Sequence, residues 1–304
     1  MKSIIETERL GVAYGRTEAV RDLTLQVPEG SIYAFLGPNG AGKTTTIKTL
    51  VNLLEPSGGV ARVFGVDSNR LGPRELAQIG YVSENQRLPE WMTVAELAAY
   101  CRPMYPTWDD AFCARLLAEF SLPPDRQLKH LSRGMKMKAA LLVSLAYRPR
   151  LLILDEPFSG LDPLMRDEFA RGILELSEQE NWTVFLSSHD IDEVERLADW
   201  VGIIDHGSLY LSESAESLQM RFRSVSLTLP GAASLPDGLP AEWLTAEASG
   251  ATVRFVESRY RPGATEAEIA RLFPDAGPPG IAPLSLRNLF LTLAKTFRPA
   301  ASLL

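Results

Sequence analysis

Leu23, Leu25 and Val27 alternate with Thr24 and Gln26, the period-two pattern of a strand with one face in a core and the other in water. Residues 3–7 and 11–14 read as further short strands, so the chain opens as a half-buried antiparallel sheet. From Ser31 the pattern becomes an unbroken apolar run, SIYAFL, followed by a glycine-rich turn and a helix-length segment from Lys43 to about Leu54. A run with no polar face predicts a strand covered on both sides, as parallel strands feeding helices are. Between Leu88 and Tyr147 the spacing turns helical, with Ala139, Leu142, Val143 and Ala146 recurring at i, i+3, i+4 and i+7. Apolar strands return at residues 151–154, 183–186 and 200–204 with helical segments between them, an alternation that predicts a parallel sheet.

The pattern changes again near Leu218. The 93 residues from Ser212 onward hold nine of the 21 prolines, about twice the density expected from a usual proline content of roughly 5%. Residues 223–229 and 251–256 predict strands around a loop containing Pro230, Pro236 and Pro240. The stretch 284–297 puts Leu286, Leu289, Phe290, Leu293 and Phe297 on one helical face. That face either packs on its own domain or docks a partner. The predicted organisation is an α/β domain over residues 1–218, with a helical subdomain at about 88–147, and a small C-terminal α+β accessory domain over 219–304 ending in an amphipathic helix. No internal repeat of 20 to 50 residues is expected.

Composition narrows the function classes. With 31 basic and 38 acidic groups the formal charge is −7, which sets aside a basic nucleic-acid module, so no nucleic-acid partner is expected. At 45% hydrophobic and 23% charged the chain has the composition of an ordinary globular protein. The charge-free stretch from Gly30 to Gly42 is 13 residues and glycine-rich, short of the roughly 18 apolar residues of a membrane helix. Glu6 and Arg9 interrupt the N-terminal apolar run before it could serve as a signal-peptide core. Cys101 and Cys113 form neither a CxxC pair nor part of a histidine cluster, which suits reduced thiols rather than a metal site.

The glycine-rich turn carries the first chemistry. GPNGAGKT matches GxxxxGK[ST] at Gly37, Gly42, Lys43 and Thr44. Its glycines let the backbone N–H groups of the loop, Asn39, Gly40, Ala41 and Thr45 included, converge with the helix N-terminus on an anion. Lys43 would reach the β- and γ-phosphates and Thr44 would ligate Mg²⁺. LLILDEP delivers Asp155 and Glu156 at the carboxyl end of an apolar strand, where α/β proteins place ligands. Asp155 would hold Mg²⁺ through its water shell, and Glu156 would polarise the attacking water. His189 ends another apolar strand, TVFLSSH, and is expected at the γ-phosphate. A structural turn, a strand cap and a capping histidine are the non-functional alternatives.

LSRGM at residues 131–135 and SGLD at 159–162 flank the carboxylate strand, and with the motifs above they resemble ABC ATPases in type and order over about residues 1–218. The resemblance implies a P-loop NTPase fold of the ABC type, with a mixed, mainly parallel core sheet, an N-terminal antiparallel β-subdomain and a helical signature subdomain. It implies that Tyr14 stacks on adenine, or is a plain strand tyrosine. It also implies that Ser132 and Gly134 form a second anion site and that Asp162 lies at the seam of a head-to-tail dimer enclosing ATP and Mg²⁺. Ser132 is placed to N-cap the helix that follows.

Two positions depart from the family pattern. Glu84, in IGYVSENQ, stands where glutamine is usual; it is expected to meet Mg²⁺ and bear on hydrolysis, unless Gln86 takes the role by a two-residue slip of register. Arg133 and Met135 replace the second glycine and the glutamine of the signature, and Arg133 either adds charge to phosphates in trans or is solvated. The subgroup most similar is the ATPase subunit of type-two ABC exporters, which implies a separately encoded membrane permease, a second ATPase subunit (the same chain or a related cassette) and a place on the cytoplasmic face of the cell membrane. There Trp91, Met92 and residues 100–105 are docking candidates, or else subdomain core. The alternatives are a soluble ABC ATPase acting on ribosomes, DNA ends or assembly, and a regulatory cassette that holds ATP without turnover.

Overall fold

The computed structural model describes residues 2–297. Its first sheet joins β1 (Ser3–Tyr14), β2 (Thr17–Pro28), β4 (Gly58–Val63) and β5 (Val66–Asp67) in the order β2-β1-β4-β5. The two short N-terminal strands expected from the sequence are one continuous β1, because the polar pair Glu8 and Arg9 is absorbed in a register shift between Thr7 and Leu10, with Arg9 at φ +46°.

The second sheet has the order β10-β9-β3-β8-β7-β6. Its strands are β3 (Ile32–Leu36), β6 (Ile79–Val82), β7 (Leu151–Asp155), β8 (Thr183–Ser188), β9 (Trp200–Asp205) and β10 (Ser208–Ser214). β3 runs parallel to β8 and β9, and β6, β7 and β8 are parallel in turn. Every residue of β3, β7 and β8 is buried, as their unbroken apolar runs require. The register sets Asp155 beside Ser187 and Leu36 beside Ser188, so three strand ends open onto one place. Tyr33, Phe35 and Phe185 stack within a core that includes Ile47, Leu50 and Ile153 and extends to the first sheet.

Helix α1 (Lys43–Leu50) is shorter than the expected run to Leu54; Asn52 turns left-handed at φ +59° and ends it. After a single turn, α2 (Pro73–Leu76), the helical subdomain follows as α3 (Val94–Cys101), α4 (Asp110–Glu119) and α5 (Arg133–Leu145). Helix α6 (Pro163–Glu180) leads into β8. No helix among the described residues is long and apolar enough to cross a membrane.

The described residues divide into two compact units after Ser212. A boundary at Leu218 would fall inside α7 (Ala215–Arg221), where Leu218 is fully buried, so the division comes earlier. The second unit is an antiparallel sheet in the order β12-β13-β11-β14, made of β11 (Arg223–Thr228), β12 (Trp243–Ser249), β13 (Thr252–Glu257) and β14 (Gly280–Pro283), with α8 (Ala264–Leu272). Trp243 stacks between Phe255 and Phe273 in its core. The last helix, α9 (Leu286–Phe297), buries Leu286, Leu289 and Leu293 within this unit and leaves Phe290 half-buried. The face is therefore spent mainly on its own unit; the Phe297 side chain lies outside the described residues.

Candidate active site

The loop from β3 to α1 can be built only from glycine at two of its positions. A Cβ at Gly37 would lie 2.2 Å from the Ile204 carbonyl oxygen. One at Gly42 would lie 2.5 Å from the Ala19 carbonyl oxygen, and Gly42 has φ +107°. The loop is thus pressed against backbone on its outer side while Asn39 and Gly40 face solvent. Ala41 is buried and its N–H closes the turn onto the Pro38 carbonyl at 3.1 Å. Thr45, on the first turn of α1, is half-buried.

Lys43 is 5% exposed and folds back over this loop, donating to the carbonyls of Gly37 at 2.6 Å and Pro38 at 3.2 Å. Its ammonium also lies 3.0 Å from Glu156 Oε1. That contact is ionic without hydrogen-bond alignment, and Oε1 has no hydrogen-bond partner although it is buried. The other oxygen, Oε2, sits 2.7 Å from His189 Nδ1. Glu156 is held at φ +51°, a left-handed conformation that turns its side chain back toward the loop.

Asp155 gathers the remaining polar groups. Its Oδ1 accepts from Thr44 Oγ1 at 3.1 Å and Ser187 Oγ at 2.7 Å, while Ser187 Oγ in turn accepts from the Glu156 N–H at 3.0 Å. Burial pushes the Asp155 carboxyl above its ordinary range, against the opposing pull of the Ser187 and Thr44 hydroxyls. A group so desolvated gains from a cation beside it. The glycine cradle, the orphaned Glu156 Oε1 and the Thr44 and Asp155 oxygens suit a nucleotide triphosphate with Mg²⁺, a hard cation that takes oxygen ligands. Among the described residues there is no group of three or more His, Cys, Asp or Glu placed to hold a metal by themselves, consistent with an ion held largely by substrate phosphates and water.

The structure thus brings together Lys43, Thr44, Asp155, Glu156 and His189. Ser187 belongs with them and went unread in the sequence, although TVFLSSH ends an apolar strand on two hydroxyls. The second of these, Ser188, donates to Glu193 Oε2 at 2.6 Å; Glu193 Oε1 pairs with Arg166 at 3.1 Å, and Arg166 Nε reaches the Leu161 carbonyl at 3.0 Å. Burial raises the Glu193 carboxyl.

Other expected site residues stand apart. Tyr14 is 51% exposed at the end of β1. Ser132 caps α5, accepting from the Met135 N–H at 3.2 Å, and Asp162 caps α6 in the same way at 3.0 Å from Met165. Gly134 is buried against Met165, whose Cε would be 2.1 Å from an added Cβ. The contacts of Glu84 are with Ser159 and Arg133, not with Thr44 or Asp155. Gln86 is used in its own loop, accepting from the Ser83 N–H. Of the docking candidates, Trp91, Tyr100 and Met104 are exposed; Met92 is buried, and Tyr105 stacks on Tyr147.

Comparison with known proteins gives a family model described as ABC transporter over residues 20–159. The chain is 37% identical over 230 residues to the daunorubicin/doxorubicin resistance ATP-binding protein of Streptomyces peucetius, covering 74% of this chain and 69% of that one. It is 30% identical over 223 residues to the sulfate/thiosulfate import ATP-binding protein of Escherichia coli K12, covering 70% and 61%. A solved ATP-binding subunit of an ABC transporter superposes with a TM-score of 0.64 at 29% identity, over 72% of this chain and 92% of that one.

Proposed function

Because the chain belongs to the ATP-binding proteins of ABC transporters, we propose that it is the ATP-hydrolysing motor of an exporter, working on a separately encoded membrane permease from the cytoplasmic face. The observation that carries the chemistry is the buried Lys43–Glu156 pair, reached from the surface by His189, beside Thr44–Asp155. On nucleotide binding the Lys43 ammonium exchanges the Gly37 and Pro38 carbonyls for phosphate oxygens. Thr44 and Asp155 would hold Mg²⁺, which would supply charge neutralisation at the phosphates. Glu156 would accept the proton of the attacking water, and His189 holds that carboxylate through Nδ1 and leaves its other ring nitrogen available to the γ-phosphate.

The signature supplies the other half. Ser132 caps the start of α5 at the surface, apart from the Lys43–Glu156 network, and this helix end would accept a phosphate brought by a second subunit paired head to tail around two ATP molecules. Loss of the γ-phosphate then removes what both halves grip, and hydrolysis becomes opening of the dimer. Homodimeric pairing is the simplest arrangement. Export is favoured by the resistance protein among the relatives; the import protein among them supports the opposite direction.

The test is purification from host membranes in mild detergent. Recovery of a polytopic membrane protein in fixed ratio, with phosphate release that is lost in Lys43→Ala, is the expected result. Recovery only from soluble fractions with ribosomal or DNA-bound proteins would move the reading to a non-transport ABC ATPase. Binding of ATP without phosphate release would indicate a regulatory cassette.

A further inference from the structure

The two departures from the family pattern meet in space. Arg133 opens α5, and Glu84 lies in the loop after β6. Between them stands Ser159, whose Oγ donates to Glu84 Oε1 at 2.9 Å and accepts from Arg133 Nη2 at 3.3 Å. The direct separation of Nη2 and Oε1 is 3.9 Å. The next residue, Gly160, has φ +70°, and a Cβ there would lie 2.5 Å from Arg133 Nη1 and 2.6 Å from Cζ. The guanidinium therefore lies against the bare α-carbon of Gly160, where any Cβ would have to push it aside. Ser159 is also tied to the catalytic turn, since its N–H donates to the Glu156 carbonyl at 3.1 Å.

We propose that Glu84 and Arg133 are paired positioning residues, a latch bridged by Ser159 that joins the start of the signature helix to the loop after β6 and to the turn bearing Glu156. Each charge answers the other: Glu84 is the counter-charge of Arg133 rather than a ligand of Mg²⁺, and Arg133, although 56% exposed, spends its guanidinium on Ser159 and Gly160 of its own chain. A carboxylate near a triphosphate, or an arginine in the signature, would be uncompensated alone. Together they make movement of the signature and of the Glu84 loop one event. The inference deepens the ATPase reading and rests on it for its consequence in turnover, though not for the latch itself.

The test compares the full-length wild type with Glu84→Gln, Arg133→Gln and the double variant. Amide hydrogen exchange without nucleotide is read in residues 83–87 and 131–136, and ATP turnover is titrated with Mg²⁺. Each single change is expected to speed exchange in both segments by about two- to fivefold, the range for a partly exposed pair, with the double variant no faster than either single. The reversed pair, Glu84→Arg with Arg133→Glu, should restore protection. The Mg²⁺ concentration for half-maximal turnover should be unchanged in Glu84→Gln. Exchange confined to the altered segment, effects that multiply in the double variant, or a shifted Mg²⁺ requirement would each overturn the latch. Absence of turnover in the wild type would instead strike at the ATPase reading, with the exchange measurement still deciding the latch.

Discussion

At Lys43 and Glu156 the charges are buried and matched within the chain, whereas at Ser132 and Asp162 the same kinds of polar group stand at the surface as helix caps. The first region is organised before any ligand arrives: Lys43, Glu156, His189, Asp155, Thr44 and Ser187 hold one another in a single network. The second has its local hydrogen bonds made as helix caps, and under the proposed head-to-tail pairing its anion would come from a second subunit. The difference shows where each half's free energy is drawn. Burial makes the first half costly to disturb, while contacts made at the exposed second half would be weak enough to form and break in each cycle of the proposed dimer.

Lys43→Ala should have the largest effect. It leaves Glu156 buried without its counter-charge, which costs about 3–5 kcal/mol of folding stability, and phosphate release should fall by about 10²–10³-fold or more. Denaturant unfolding and a phosphate assay check both, and an unchanged midpoint would show that the buried network is less coupled than its geometry implies. Glu156→Gln should lower turnover by about 10²–10⁴-fold while ATP still binds. With Mg-ATP it should run as a dimer on sizing, and a monomer there would break the idea that the two halves meet around ATP.

Asp155→Asn separates function from stability within the buried half. Because burial raises this carboxyl above its ordinary value of 3.8, the nucleotide-free protein binds more protons than the unfolded chain just above that value. Its contribution therefore falls as pH rises from about 3.8 through the raised value and stays unfavourable at neutral pH. The asparagine variant should melt higher than wild type at pH 7 without Mg²⁺, and the gap should close in acid, although turnover is lost. Ser132→Ala removes a cap worth about 1 kcal/mol and should reduce turnover with little change in ATP affinity of the monomer. Equal loss of affinity would mean the two regions are not separable. Tyr14→Ala should be mildest, weakening ATP about two- to tenfold for a lost stacking of about 0.5–1.5 kcal/mol, with no change in melting.

The buried half was legible in the sequence because its residues follow one another along short, strongly patterned segments. GPNGAGKT, LLILDEP and TVFLSSH each end an apolar run on polar groups, and parallel pairing brings the ends together. The exact partners were less legible: Ser187 is one hydroxyl among many until β7 and β8 pair and set it beside Asp155. Glu84 was assigned to the metal from its place in a motif, and only tertiary packing reveals Ser159 and Arg133 as its contacts. In the second unit, β12 was missed because its exposed face and the bulge between Leu244 and Glu247 blur the alternation that marks β11 and β13.

The left-handed backbone at Glu156 reaches beyond the reaction. A non-glycine residue held there costs on the order of 1–2 kcal/mol, a cost that glycine avoids and asparagine tolerates best among the rest. Glycine or asparagine at position 156 would recover that cost but leave the buried Lys43 ammonium without its counter-charge, a loss of about 3–5 kcal/mol, so the ion pair holds the carboxylate in place against the preference of its own backbone. A library ranked by melting temperature should therefore retain glutamate at position 156 as long as Lys43 is present, and should admit glycine or asparagine there only once Lys43 has been replaced by an uncharged residue.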